Sequence, residues 1–386
     1  METDIYVVQP QDTLKKIAAK FAVPINELLY LNGFSGPEQL VAGQAILIPH
    51  VLKVVRSLGY FQVGDPENLE RTLAEIGGFF TYGGVFQFPV TTGGAVIIPK
   101  DVDVNRVVNL LKRYNILPLM VITNLGPERF EPDLARVVIS DQALRAQLIR
   151  NLLSLMTPYG FAGVNIDFEN VYPADRELFT CFIRELKLSF MKYGYLVSLT
   201  VPPKNEDLPA DPTRGAYDYQ ALGQWVDFIF IMTYDWGYMA GPPMAVAPIN
   251  EVQKVIAYAV TQIPAFKILQ GIPLYGYNWR LPFTPGTLAT VVNLVDVYDL
   301  ARRYHAEINF DPAAQSPNFR YTDEDGVQHE VWFEDARSVT AKYGLVRDYS
   351  LGGPGFWSGR NYPYGFPQNW VIFGERFQLS RVLAGL

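Results

Sequence analysis

Phe161-Ala-Gly-Val-Asn-Ile-Asp-Phe-Glu-Asn170 is the stretch from which the fold is read. It has the period of a strand, in which successive side chains take opposite faces. Val164, Ile166 and Phe168 share one face, which is wholly apolar. Gly163, Asn165, Asp167 and Glu169 share the other, so the reverse of a core-forming face carries two acids. Two environments satisfy this pattern. One is an antiparallel edge strand with one wet face. The other is a strand of a parallel barrel, packed outside on helices and opening at its inner C-terminal end into an active-site mouth. Carboxylates at i and i+2 lie roughly 7 Å apart at Cα, near enough to shift each other's pKa. That suits an acid beside a charge stabiliser, although structural ion networks cluster acids too.

Outward from this stretch, strand and helix alternate. Strands are expected at 51–62, 79–90, 117–123, 161–170, 196–202, 228–234, 268–275 and 352–357. Between them, apolar residues recur at helical spacing, as in Val104, Val107, Val108 and Leu111 or Leu178, Phe182, Leu186 and Phe190. The short segment 219–225 and the segment 333–343 read as helices as well. Eight such alternations predict an α/β fold, a (β/α)8 TIM barrel over residues 52–386. A doubly wound open sheet is the alternative, but no Gly-rich phosphate fingerprint follows the first strand. Residues 281–332 break the rhythm and are too long for a plain loop. There Asn318–Thr322 and Val327–Trp332 flank Asp323-Glu-Asp-Gly326, a hairpin signal. A small α+β insertion between strands seven and eight is expected, walling one side of a cleft.

Residues 1–50 read as a separate βααβ module. Ile5–Val8 and Ala45–Ile48 are strands. Asp12 is expected to cap a helix carrying Leu14, Ile17, Ala18 and Phe21, and Pro24 to open a second that Asn32-Gly33 closes.

Composition narrows the function. A net charge of −7 argues against a nucleic-acid footprint. Cys181 stands alone, which rules out an intramolecular disulfide, and three His with one Cys leave little material for a zinc site. No metal and no organic cofactor is expected. Met1–Tyr6 has neither the basic nor the apolar region of a secretory signal, and no apolar run is long enough to span a bilayer. The abundant aromatics serve cores, and their flat faces also stack on pyranose rings.

The strand ends carry the chemistry. Strand one ends in Tyr60 and strand four in Asp167 and Glu169. Strand six ends in Met232-Thr-Tyr-Asp-Trp236, strand seven in Pro273-Leu-Tyr-Gly-Tyr-Asn-Trp279, and strand eight in Gly355-Phe-Trp-Ser358. In a barrel these ends converge, and acids ringed by Tyr and Trp suit a carbohydrate cleft.

Two resemblances attach to these residues. Tyr6–Leu14, Ile17-Ala18, Asn26–Leu29, Leu31-Asn32 and Gly43–Pro49 resemble a LysM module, with Gln11 where a Gly is usual. This implies binding to N-acetylglucosamine-containing glycans such as peptidoglycan or chitin. Gly163–Glu169 resembles the strand-four motif of family 18 glycoside hydrolases, and Met232–Asp235, Gly271–Gly276 and Trp357 match that family's strands six, seven and eight. Together with the N-terminal module, and with Trp332–Ser338, the chain resembles the spore cortex-lytic and spore-coat N-acetylglucosaminidases of endospore-forming bacteria.

The resemblance implies roles. Glu169 is the general acid, and Asp167 orients the substrate's 2-acetamido group, which serves as internal nucleophile. Tyr234 holds the acetamido oxygen. Tyr60, Asn165, Met232, Asp235, Tyr275 and Trp357 are expected around the substrate. Two positions depart from the family motif: Ala162 and Asn165 stand where Asp is usual. Asn165 removes a like charge beside Asp167 while keeping hydrogen-bonding capacity. The expected function is a retaining, substrate-assisted hydrolase acting on peptidoglycan of the spore cortex or its fragments. A chitinase and a non-catalytic glycan-binding spore-coat protein are the alternatives, and the sequence leaves oligomeric state open.

Overall fold

The computed structural model of this chain describes residues 3–21, 23–36, 40–49, 52–100, 102–362 and 364–380. By the density of internal contacts the chain divides into two units, 1–54 with 371–378 and 55–370 with 379–386.

In the first unit Thr3–Val7 pairs antiparallel with Ala45–Pro49, Ile5 lying opposite Leu47. Helices Leu14–Phe21 and Ile25–Leu31 pack on this ribbon through Leu14, Ile17, Leu28, Ile46 and Ile48. The first cap differs from expectation. The backbone N–H of Lys16 donates to Thr13 Oγ1 at 3.2 Å, so Thr13 caps the helix. Asp12 instead accepts from the Gln9 N–H and the Tyr6 hydroxyl, closing the turn before it.

In the second unit eight parallel strands close a barrel: Leu58–Gln62, Tyr82–Pro89, Leu117–Thr123, Gly163–Asp167, Leu196–Val201, Phe228–Ile231, Ile268–Pro273 and Gly353–Trp357. They are called barrel strands one to eight below. The expected first strand breaks in two. Lys53–Val55 pairs with Phe377–Leu379, barrel strand one begins at Leu58, and Val51 lies outside the described residues. Strands four and six stop earlier than the apolar pattern suggested, at Asp167 and Ile231, because the chain turns there to build the cleft. Asp caps set the helix starts: Asp65, Asp103, Asp141, Asp218 and Asp335 each accept a backbone N–H from the first turn that follows. Helix Pro132–Ser140 and the C-terminal helix Pro367–Arg376 were not expected from periodicity.

The insertion is larger than read. Its five-stranded sheet runs Thr290–Asn293, Tyr275–Leu281, Gln328–Trp332, Ser316–Thr322, Asn309–Asp311, with helix Leu294–Arg303. It therefore begins at Tyr275 rather than at 281, directly after strand seven, and carries the tyrosines of that strand end with it.

The barrel interior is graded along its axis. Leu58, Tyr82, Leu119, Val121, Phe228 and Leu269 form an apolar floor, with Tyr82 stacked on Phe228 at 4.6 Å between ring centroids. Above it lies a polar layer of Tyr60, Asn165, Ser198 and Thr200, all buried. The acids open above that.

Candidate active site

Strand four supplies Asn165 and Asp167 to the barrel interior. Phe168 points the other way and is buried against Phe179 and Phe182 of helix Arg176–Phe190, at 6.4 and 6.0 Å. That outward anchor turns Asp167 and Glu169 to the cleft side, although the strand has ended. The backbone ladder to strand three stops at the pair Thr123–Asp167. Beyond it, Asn124 takes over with its side chain. The Glu169 N–H donates to Asn124 Oδ1 at 2.8 Å, and Asn124 Nδ2 donates to Glu169 O at 2.8 Å. On the far side the Tyr217 hydroxyl donates to Phe168 O at 2.7 Å and accepts from the Val171 N–H at 3.5 Å. Two buried side chains thus bracket the loop that presents Glu169.

Asp167 is 5% exposed, and its Oδ1 meets no hydrogen-bond partner among the described residues. Burial raises its carboxyl above the ordinary Asp range. Glu169 is raised too, by burial first and then by the Asp167 and Asp235 carboxylates. Glu169 feels the charge of Asp167 on top of its own burial, and both effects favour its protonated form. Its carboxyl has no hydrogen-bond partner among the described residues and is free to meet a ligand.

Tyr60 and Asn165 lie beneath the acids. The Tyr60 hydroxyl donates to Asn165 Oδ1 at 3.1 Å and lies 2.8 Å from Thr200 Oγ1, while Asn165 Nδ2 donates to Ser198 Oγ at 3.0 Å. Both side chains are buried and hydrogen-bonded within this network. The Tyr60 ring needs Gly84 of strand two, where a Cβ would meet it at 2.9 Å.

Met232 and Tyr234 leave strand six, and Thr233 Oγ1 pins the turn by donating to Gly271 O at 2.7 Å. Tyr234 lies over Gly271, where a Cβ would touch its ring at 2.9 Å, and its hydroxyl makes no hydrogen bond among the described residues. Asp235 has φ +64° and accepts from the Tyr275 hydroxyl at 2.7 Å and the Tyr277 hydroxyl at 3.4 Å. Burial raises its carboxyl, against the two hydroxyls that lower it. Trp357 ends strand eight against Phe86 at 4.9 Å and Tyr60 at 5.8 Å. Met232 packs on the barrel core beside them.

An aromatic-lined mouth with two facing-in acids at the C-terminal ends of a parallel barrel can protonate a leaving group and stabilise an adjacent charge. Among the described residues there is no cluster of ligands fit for a metal ion. Asn124, Ser198, Thr200 and Tyr217 were not expected from the sequence, while Tyr277 stands within the aromatic end of strand seven that was. Of the four, only Asn124, a polar residue immediately after a strand's C-terminal end, carried a sequence signal.

Residues 120–361 match the glycosyl hydrolases family 18, and residues 6–49 match the LysM domain. The chain belongs to glycosyl hydrolase family 18. This family 18 hydrolase is 33% identical to the "Cortical fragment-lytic enzyme" of Bacillus subtilis (strain 168), over 98% of this chain and 99% of that protein. Among solved structures it is similar to the Bacillus cereus spore cortex-lytic enzyme SleL, with 37% identity and a TM-score of 0.83 over 98% of this chain and 88% of that chain. A chitinase from Chromobacterium violaceum matches with 30% identity and a TM-score of 0.76, over 83% of this chain and 98% of that chain. The chain is a glycoside hydrolase with a glycan-binding module. Among the described residues no helix is long and apolar enough to cross a membrane.

Proposed function

We propose that this hydrolase cuts next to N-acetylglucosamine in the peptidoglycan of the spore cortex, or in fragments of it, by a retaining and substrate-assisted route. The observation that carries the reading is the placement of Glu169: Asn124 fixes its backbone just past the end of strand four beside Asp167, its carboxyl is unpaired among the described residues, and burial with two neighbouring carboxylates favours its protonated form. Glu169 gives its proton to the leaving oxygen. Asp167 accepts the 2-acetamido N–H and so aims the acetamido oxygen at the anomeric carbon. The Tyr234 hydroxyl, unengaged among the described residues, donates to that same oxygen. The oxygen attacks, the glycosidic bond breaks, and an oxazolinium-type ring forms. Glu169, now a carboxylate, takes a proton from water as the water opens the ring, which restores the acid and retains the anomeric configuration. A tethered nucleophile gains from proximity, so the protein supplies none.

Asp235, Tyr275 and Trp357 wall the subsite, with Met232 as an apolar neighbour. Tyr60 and Asn165 support Asp167 from beneath. Residues 1–50 anchor the protein on its glycan, and residues 52–386 cut it, at the spore coat or cortex. The cortical relatives, which match along nearly the whole chain, favour this substrate. The solved chitinase, which matches over 83% of this chain, supports chitin as the second reading. The test is to incubate the protein with purified cortex, cortex fragments and chitin oligomers and to identify the new reducing-end sugar by mass. Cortex material releasing N-acetylglucosamine ends is the expected result. Glu169→Gln should abolish release while leaving glycan binding intact; a variant that still hydrolyses at the parental rate would end the assignment.

A further inference from the structure

Trp332 opens the motif Trp332–Ser338 and takes no part in the chemistry above. Resting on the glycosidase reading, we propose that Trp332 is a stacking platform for a sugar ring of the glycan beyond those flanking the cleaved bond, its plane set by Glu330 and Arg320. The indole Nε1 donates to Glu330 Oε1 at 2.7 Å. Glu330 is 8% exposed, and its other oxygen accepts from Arg320 Nε at 2.9 Å and Nη2 at 2.7 Å. A half-buried Trp tethered to a buried carboxylate, which an Arg holds from two nitrogens, is pre-set for a flat ligand rather than free to swing.

Its position follows from the register. Trp332 lies opposite Tyr277 on one side and Asn318 on the other, and Asn318 lies opposite Asn309. Residues directly opposite share a face. The sheet face that carries the Tyr277 hydroxyl to Asp235 therefore continues through Trp332 to Asn318 and Asn309. Adjacent strands are about 4.8 Å apart, a step comparable to the advance of one sugar in a β-1,4 glycan. Trp332 also packs on the cluster formed by Tyr275, Tyr277 and Trp279, which Tyr234 and Trp357 join, so the face is continuous with the acids.

A depression of about 490 Å³ lies on this face, lined among others by Asn309, Phe310, Asn318, Arg320, Glu330 and Trp332. Arg337 covers the Phe310 ring at 4.3 Å, which leaves Trp332 to offer the aromatic surface. A flat ring bordered by amides and charged hydrogen-bonding groups is the chemistry that recognises a saccharide.

The test compares substrate lengths. Trp332→Ala should lower kcat/KM on glycan strands of several disaccharides by about tenfold or more, as truncation of an aromatic anchor does. An activated aryl glycoside of one or two N-acetylglucosamine units, too short to reach the platform, should be cleaved at the parental rate, which also shows that the variant folds. Trp332→Phe should keep most of the long-strand activity, and Arg320→Ala should lose part of it. Strand binding by Glu169→Gln protein, with and without Trp332→Ala, reads the platform without turnover. If parental protein cleaves neither substrate but strand binding depends on Trp332, the glycosidase reading fails and the platform stands. Equal losses on short and long substrates, or no loss of either activity or binding, would overturn the platform.

Discussion

Asn124 holds both backbone groups of Glu169, its amide standing in for the next rung of a ladder that ends at Thr123 and Asp167. The same device recurs between Asn32 and Leu47, where the amide bonds the Leu47 N–H at 2.7 Å and its carbonyl at 2.8 Å. At Glu169 it fixes an acid whose carboxyl is otherwise unrestrained. Asn124→Ala should displace the acid and cost about 10–100-fold in kcat/KM on natural glycan, the range expected for a misplaced reacting group. Activated aryl glycosides with good leaving groups need little protonation, so they should lose far less. Equal losses on both would mean that Asn124 acts only through general stability.

Phe168 is the counterweight. It separates Asp167 from Glu169 and is buried between Phe179 and Phe182, with Tyr217 edge-on to Phe179 at 5.7 Å. Phe168→Ala should destabilise the barrel by about 3–5 kcal/mol, the usual cost of emptying an aromatic site. Denaturant unfolding measures it. Activity should fall as well at temperatures where the variant is fully folded, because nothing then turns Glu169 to the cleft.

Residues 161–170 show why so much was legible. Alternation alone gave the outward Phe168 and the inward acids, since burying Phe168 dictates the rest. The strand's end was not legible, because the turn-favouring residue there, Asn170 with φ +57°, stands three residues beyond the point where the ladder stops for lack of a backbone partner. Asn124 and Tyr217 escaped for a related reason: each acts on backbone groups of a segment distant in sequence, and neither belongs to a periodic pattern. The insertion's start was hidden because Ile268–Tyr275 reads as one strand, with Leu274 and Tyr275 passing as its continuation. The chain there exchanges barrel partners for Gln328–Trp332 without a change in composition. Helix Pro367–Arg376 did carry a signal, a Pro at its first position.

The raised carboxyls make a stability prediction. Glu169 and Asp167 hold protons in the folded state at a pH where an unfolded chain has released them. The folded protein then binds more protons than the unfolded one, so stability falls as pH rises through the ordinary carboxylate range and levels off above the folded values. Each pKa unit corresponds to about 1.4 kcal/mol. Glu169→Gln should therefore raise the melting temperature at neutral pH, and the gain should vanish in acid below the unfolded pKa values. A gain of equal size at both pH values would show that packing, not titration, is responsible.

Asp235 tests the same charges kinetically. It is one of the two carboxylates that raise Glu169, and removing it makes ionised Glu169 easier to form. The basic limb of the kcat/KM profile, where the general acid loses its proton, should move to lower pH in Asp235→Asn. The acidic limb, governed by Asp167, should stay nearer its parental position, since burial alone raises that group. A basic limb that does not move would remove Asp235 from the electrostatics of the acid.

Asn165 occupies a cradle wired for an amide. Ser198 Oγ gives its proton to Val164 O at 3.1 Å and accepts from Asn165 Nδ2, while the Tyr60 and Thr200 hydroxyls both reach Asn165 Oδ1. A carboxylate at 165 would set an acceptor against the Ser198 acceptor unless it bound a proton, and it would stand two residues from Asp167 on the same inner face. The first effect resists ionisation of the new carboxyl at 165, and the like charge of that carboxyl, once ionised, resists ionisation of Asp167. Asn165→Asp should thus shift the acidic limb of the pH–rate profile upward. In the double variant with Ser198→Ala, which takes away the opposing acceptor, the new carboxyl ionises more readily, so the acidic limb should move further upward. An unchanged acidic limb in Asn165→Asp would mean that Asp167 ionises independently of this layer.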